Sequence, residues 1–223
     1  MKKLVKKMLR EIEEDVKYTR YMTGRSQLSN ETIAALTKVP RDAFVPEQLK
    51  DMAFVNGPLP IGHGQTISQP YIVALMTELL NLKPDHIILE IGTGSGYQSA
   101  VLSLLCRQVY SMELIPELSD SAKQRFKKLN YNNIKAFTGN GYAGYPEYAP
   151  YDGIIVTAAA THIPEALINQ LKPGGHLVIP VGLSHMHQEL MLLEKDSNNK
   201  TNVKHILDVS FVPLIDSDVK NQL

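Results

Sequence analysis

What the 223-residue sequence lacks narrows its reading before any motif does. It has one cysteine, Cys106, so an intrachain disulfide is impossible and a reducing compartment is the natural setting. It has no net charge, with 23 Lys and Arg against 23 Asp and Glu, and nothing in that balance asks for nucleic acid or a membrane surface as partner. No apolar run approaches the roughly 20 residues of a transmembrane helix, and the basic N-terminus lacks the continuous apolar stretch of a signal peptide. Internal repeats and long linkers are missing too. A cytoplasmic protein is expected, and 43% hydrophobic residues suffice for a single domain over residues 1–223 with a sizeable core.

The stretch that organises the rest is His86 to Tyr97, HIILEIGTGSGY. Ile87, Ile88, Leu89 and Ile91 read as a buried strand carrying Glu90, which breaks into Gly92, Gly94 and Gly96 before a helical pattern begins. A dinucleotide fold wants G-x-G-x-x-G, and here Tyr97 fills the place of its third glycine. G-x-G-x-G after an acidic residue fits a nucleoside without a pyrophosphate, of which S-adenosyl-L-methionine is one, with its methionine portion against the glycine backbone. The next strand, QVYSMEL, ends in Glu113, placed to accept both ribose hydroxyls of an adenosine.

Ahead of this unit, residues 1–80 read as a helical part. Leu4, Val5, Met8, Leu9, Ile12 and Val16 recur at helical spacing, and the acidic run Glu11, Glu13, Glu14, Asp15 favours a docked amphipathic helix over a membrane-surface one. Asn30 and Glu31 open a second, capped helix that runs to Leu36, and Pro40 and Pro46 flank a break around Phe44. Gly57 to Pro70, GPLPIGHGQTISQP, is dense in Gly and Pro and reads as a loop pinned by Ile61 and Ile67. Ser68, just before the periodic YIVALMTELL, is either a helix cap or a hydroxyl donor beside free backbone N–H groups, a natural carboxylate site.

Beyond Glu113 come a helix from Pro116 to Leu129, the strand IKAFTG, a Tyr- and Gly-rich loop containing Asn140 and Gly141, the apolar strand YDGIIVTAAA, and a helix from Pro164 to Leu171. Lys172 to Gly175 stop that helix and HLVIPVG follows as a strand. Residues 81–182 therefore form an α/β core with a mostly parallel sheet and helices on both faces. In residues 183–223, QELMLLEK and VKHILDVSFVPLI should pair as an antiparallel hairpin at one edge, followed by a polar tail. Cys106 falls in the apolar pattern of the helix after the glycine turn and reads as core. His185 and His187 have no third ligand of matching spacing, so no metal is expected.

VPRDAFVP, PLPIGHGQTISQPYIVALMTELL, ILEIGTGSGYQSAVL, EYAPYDGIIVTAAATHIPEALINQLKPGGHLVIPVG and FVPL resemble the protein-L-isoaspartate (D-aspartate) O-methyltransferases over nearly the whole chain. The glycine turn alone points only to some methyltransferase; GQTISQP and FVPL narrow the match. The resemblance implies a Rossmann-like class I S-adenosylmethionine-dependent methyltransferase fold. It also implies transfer of the cofactor's methyl group to the α-carboxylate of L-isoaspartyl residues in damaged proteins and peptides, a repair reaction. By similarity Ser68 is the active-site position, and Ile61, Gly62, His63, Gly64, Glu90, Gly92, Gly94, Gly96, Glu113, Asn140 and Gly141 are cofactor positions. His63, Gln65, Thr66 and Ser68 fall on the substrate side.

The chemistry agrees with these assignments. A carboxylate, with a reference pKa of about 4, is already ionised at neutral pH, so no general base is needed and none is evident. The sequence departs from the family at Asn140, where members usually carry Asp; asparagine keeps one acceptor for an adenine amino group and loses the charge. Another carboxyl acceptor, or a cofactor-binding protein without turnover, are the alternatives. Tyr97 disfavours a nicotinamide dehydrogenase.

Overall fold

The computed structural model describes residues 2–183 and 186–216. The predicted histidine at position 185 and the polar tail beyond Asp216 lie outside the described residues. The sheet strands are β3 (Ile87–Ile91), β4 (Gln108–Glu113), β5 (Ile134–Thr138), β6 (Tyr151–Val156), β7 (Leu171–Gly182), β8 (Gln188–Lys195) and β9 (Thr201–Val209), in spatial order β5-β4-β3-β6-β7-β8-β9. The first five of these run parallel, and β8 and β9 are antiparallel. Ile88, Leu89, Ile154, Ile155, Leu177 and Val178 are wholly buried, as strands covered on both faces require.

The chain leaves β3 for β4 and β5 on one side, then crosses back to β6 on the other side of β3. That reversal leaves a crevice beyond the carboxyl ends of β3 and β6, the place where open α/β sheets bind ligands. The helices α4 (Tyr97–Ser103), α5 (Pro116–Lys128) and α6 (Glu165–Gln170) connect the strands.

Before the sheet come α1 (Lys2–Thr23), α2 (Asn30–Lys38) and α3 (Pro70–Leu79). α1 buries Met8, Ile12, Val16, Thr19 and Thr23, one helical stripe, and the Thr19 hydroxyl meets the Tyr71 hydroxyl of α3 at 2.6 Å. The stripe is the docked face that its spacing predicts. α2 is capped by Ser29, whose hydroxyl accepts the Thr32 N–H, and not by Asn30, which is already the first helical residue. The stretch around Phe44 forms two 3-10 helices, Arg41–Phe44 and Glu47–Met52.

Three elements differ from their sequence reading. The Gly/Pro-rich segment is a hairpin, with β1 (Leu59–Gly62) antiparallel to β2 (Gln65–Ile67). Its central turn residues His63 and Gly64 have φ of 53° and 70°, the left-handed backbone of a two-residue hairpin turn. α4 ends at Ser103, so Cys106 sits in the turn that follows; it is buried, and burial pushes its thiol up to about 12. β7 starts directly after α6 at Leu171 and absorbs Pro173, Gly174 and Gly175 in a bulge, because Leu171 pairs with Tyr151 while His176 already pairs with Gly153.

Candidate active site

The glycine turn is fixed from both sides. The Gly92 N–H donates to the Met112 carbonyl of β4 at 2.8 Å, and the Thr157 hydroxyl at the end of β6 donates to the Gly92 carbonyl at 2.6 Å. Gly92 has φ 92°, and a Cβ there would lie 2.4 Å from Thr157 Oγ1, so only glycine fits. Glu113 then ties the turn to the next strand: its Oε2 accepts the Gly94 N–H at 2.8 Å and its Oε1 accepts the Ile115 N–H at 3.0 Å.

Two predicted cofactor positions serve the scaffold instead of facing the cleft. Glu90 is fully buried under the turn, where its carboxylate accepts from Ser99 and from Ser111, the latter at 2.5 Å, while Thr93 and Ser111 share a hydrogen bond at 2.6 Å. Burial pushes the Glu90 carboxyl up to about 7, with nearby Glu113 adding to the rise and the two serine hydroxyls opposing it. Gly96 opens α4 at φ 87°, and a Cβ would strike the Phe126 ring at 2.6 Å; its role is close packing on α5.

Beyond β3 and β6 the cleft divides into adjoining spaces that share Thr66 and Thr157. The first is walled by Gly92, Gly94, Glu113, Gly141 and the chain from Val212 to Ile215. A narrow passage bordered by Gly92, Gln98 and Ser68 leads from it. The third, a groove, is bordered by Ser68, Gln69, Ile72, Asp208 and Phe211. Thr66, Ser68, Gly92 and Thr157 thus border the same passage.

Ser68 is not the cap of α3. That position is Gln69, which makes no side-chain cap bond, and the Tyr71 N–H of the first turn is taken by Asn56 Oδ1 at 3.0 Å. Asn56 is held in turn by Asp15 of α1 at 2.8 Å. Among the described residues the Ser68 hydroxyl has no hydrogen-bond partner, which leaves it to a ligand. Its backbone is fixed by Arg41, a wholly buried guanidinium that donates to the Ser68 carbonyl at 2.7 Å and to the Ala53 carbonyl at 2.8 Å and lies 4.7 Å from the centroid of the Tyr97 ring. Burial lowers the pKa of Arg41 from its ordinary value, and an arginine guanidinium remains a cation in proteins.

The remaining predicted positions divide. Gln65 and Thr66 border the first space, and Ile61 packs towards the glycine turn, its Cδ1 3.5 Å from where a Gly94 Cβ would stand. Gly62, His63 and Gly64 form the exposed tip of the hairpin and are not among the residues that line these three spaces, because the two short strands carry them beyond it. Gly141 does line the first space, and a Cβ there would meet Ile91 Cγ2 at 2.3 Å. Asn140 does not: its side-chain oxygen accepts the Tyr142 N–H at 3.0 Å and its amide donates to Asp216 Oδ1 at 2.8 Å.

Sequence reasoning missed Thr157 and Arg41, and it singled out FVPL and the following Ile215, the 212–215 wall, without assigning them a cofactor role. The wall is laid along Ala159, whose N–H donates to the Val212 carbonyl and whose carbonyl accepts the Leu214 N–H, each at 2.8 Å. Thr157 was findable in principle, since it directly follows the strand that neighbours the glycine-bearing one; the signal needed was the strand order. Folding also brings Asp208 to His187 and its near neighbour Glu189, and sets His205 beside the same two carboxylates.

Residues 17–219 match the family described as Protein-L-isoaspartate(D-aspartate) O-methyltransferase (PCMT). A Protein-L-isoaspartate O-methyltransferase 2 of Polaromonas sp. (strain JS666 / ATCC BAA-500) is 54% identical over 207 residues, covering 93% of this chain and 98% of that one. Among solved structures, a protein-L-isoaspartate O-methyltransferase superposes with a TM-score of 0.78 at 28% identity, over 90% of this chain and 65% of that one. The beta-aspartate methyltransferase (PCMT) from Plasmodium falciparum in complex with S-adenosyl-L-homocysteine superposes with a TM-score of 0.75 at 25% identity, over 92% of this chain and 97% of that one. On this breadth of match the chain belongs to the protein-L-isoaspartate(D-aspartate) O-methyltransferase family.

Proposed function

We propose that this chain methylates the α-carboxylate of L-isoaspartyl residues in damaged proteins and peptides, with S-adenosyl-L-methionine as methyl donor. The observation that carries the reading is the passage itself: the hydroxyl-bearing Ser68 and the backbone of Gly92 border one narrow opening between two larger spaces. The first space suits the donor. Gly92 and Gly141 have no room for a side chain, so backbone faces the ligand there, and each Glu113 oxygen accepts only one N–H, which leaves lone pairs for sugar hydroxyls. Gly94 and the wall from Val212 to Ile215 complete that side, and Ile61 supports it from behind.

The bound donor supplies an electrophilic methyl group on a sulfonium. Everything else is positioning. Ser68 donates to one oxygen of the acceptor carboxylate without neutralising it, while the other oxygen stays free to attack. Thr66 and Gln65 line the approach, and Arg41 fixes the Ser68 backbone, so the acceptor is held at a set distance from Gly92. Pre-orientation of two reactants is worth roughly 7–11 kcal/mol of barrier, and no proton has to move. The backbone nitrogen of the following residue then attacks the ester carbonyl and loses its proton while methanol leaves, which closes a succinimide. The single free cysteine supports a reducing, cytoplasmic setting.

The test is methyl-ester formation from labelled donor on an isoaspartyl peptide and on its normal aspartyl twin. Strong labelling of the first and little of the second is expected. Equal labelling of both points to a different carboxyl acceptor, and calorimetric donor binding with no ester on either peptide points to binding without turnover.

A further inference from the structure

At the free edge of the sheet, four side chains with metal-binding atoms converge on one face of the β8–β9 hairpin. Glu189 and Asp208 stand directly opposite each other in the strand register, and His187 precedes Glu189 by two residues, on the same face. His205 belongs by simple alternation to the other face, since it stands three positions from Asp208. The ladder shifts between Leu190 and Met191, however, pairing Leu207 with Leu190 and His205 with Met191. Ile206 is the extra residue; it and Leu207 are both buried, and His205 and Asp208 on either side are both exposed. The bulge thus turns His205 round to join the other three.

The distances suit a single ion. His187 Nε2 lies 3.1 Å from Glu189 Oε1 and 3.6 Å from Asp208 Oδ1. His205 Nε2 lies 3.3 Å from the same Asp208 oxygen and 3.9 Å from the same Glu189 oxygen. Four ligands about 2.0–2.2 Å from a tetrahedral zinc ion are separated by about 3.3–3.6 Å; these pairs run from 3.1 to 3.9 Å around that spacing, and the ligand atoms of His187, Glu189 and Asp208 all lie within 4.8 Å of one another, with His205 within reach of both carboxylates. The donor set of two imidazoles and two carboxylates suits Zn2+ and neighbouring divalent first-row ions; the imidazoles argue against Ca2+ and Mg2+, which prefer oxygen throughout. Each ring presents Nε2 to the carboxylates, the nitrogen whose lone pair would bind the ion.

We propose that His187, Glu189, His205 and Asp208 form a surface site for a divalent transition-metal ion of the zinc type, which clips β8 to β9. The site is separate from the methyl-transfer cleft apart from Asp208, which also borders the groove. The four side chains are between 40% and 68% exposed, so an ion enters without unfolding and substitutions there are tolerated.

The test is calorimetric titration of the full chain with Zn2+, in wild type and in H187Q/H205Q, with thermal melting of both in chelator to confirm folding. The expected result is one ion per wild-type chain, a zinc-dependent rise in Tm, and affinity at least about tenfold weaker in the double variant. Glu189→Gln, which keeps both imidazoles, should weaken binding in the same direction. Absence of zinc uptake by wild type, or uptake of equal affinity in wild type and H187Q/H205Q, would overturn the site; the second outcome would place the ion elsewhere on the chain.

Discussion

Beneath the glycine turn, Thr93, Ser111, Glu90 and Ser99 form a buried chain of hydrogen bonds, and Gly92 is held by Met112 on one side and Thr157 on the other. The hairpin across the cleft is built differently: Gly62, His63 and Gly64 are exposed, all three have positive φ, and no atom stands within 4 Å of a Cβ placed on either glycine. The donor side is therefore fixed by packing, and the acceptor side by a few tethers, chief among them Arg41 on the Ser68 carbonyl. A small donor of constant shape rewards a rigid socket, whereas acceptors embedded in many different protein chains reward a rim that leaves room.

The hardest break in this contrast is Gly92→Ala. With a contact of 2.4 Å to Thr157 Oγ1 and a left-handed φ, it should cost about 4 kcal/mol, read as a fall in melting stability together with loss of donor binding by calorimetry. Donor affinity close to wild type would mean that the turn is less constrained than its neighbours imply.

Glu90→Gln sharpens the donor side through pH. Burial raises the folded-state carboxyl from 4.5 to about 7, so its contribution to stability is fully present below pH 4.5 and is lost as pH rises through 7. Chemical denaturation at pH 5 and pH 8 should show wild type losing about 2–3 kcal/mol relative to the glutamine variant across that window. Parallel pH profiles of the two proteins would contradict the buried-carboxyl account.

On the acceptor side, Ser68→Ala should lower turnover by roughly ten- to a hundredfold, the worth of one hydrogen bond to a charged group, and leave donor affinity unchanged. A matching loss of donor affinity would mean the two sides are not separable at this residue. Gly64→Ala is the mildest: with open space around it, only its φ of 70° opposes a side chain, at about 1 kcal/mol of stability, and donor affinity should not move. If it proves as damaging as Gly92→Ala, the hairpin is as tightly determined as the turn.

The sequence made the donor side legible because its constraints are local. Strand, three glycines and helix follow one another directly, and Glu113 ends the next strand, so spacing alone brought Gly92, Gly94 and Glu113 together. Glu90 and Gly96 belong to the same motif, but their inward orientation depends on Ser111 and Phe126, which only packing brings near. The acceptor side was harder. Pro60 and the glycines disguised strands of four and three residues as a loop, and Arg41 reaches Ser68 across 27 positions. Thr157 and the 212–215 wall arrive from later parts of the chain through the strand order, and His205 reaches Glu189 and Asp208 only because a bulge reverses its face.

The central claim is that an acceptor carboxylate held by Ser68 meets the donor through the opening between Thr66 and Thr157. A crystal structure of the chain with S-adenosylhomocysteine and an isoaspartyl peptide tests it most directly. The account predicts the ligand sulfur beside Gly92 and one isoaspartyl carboxylate oxygen within hydrogen-bond distance of Ser68 Oγ, the other turned toward the sulfur. A peptide carboxylate seated away from Ser68, or a donor lying outside the space walled by Gly92, Glu113 and Leu214, would contradict it.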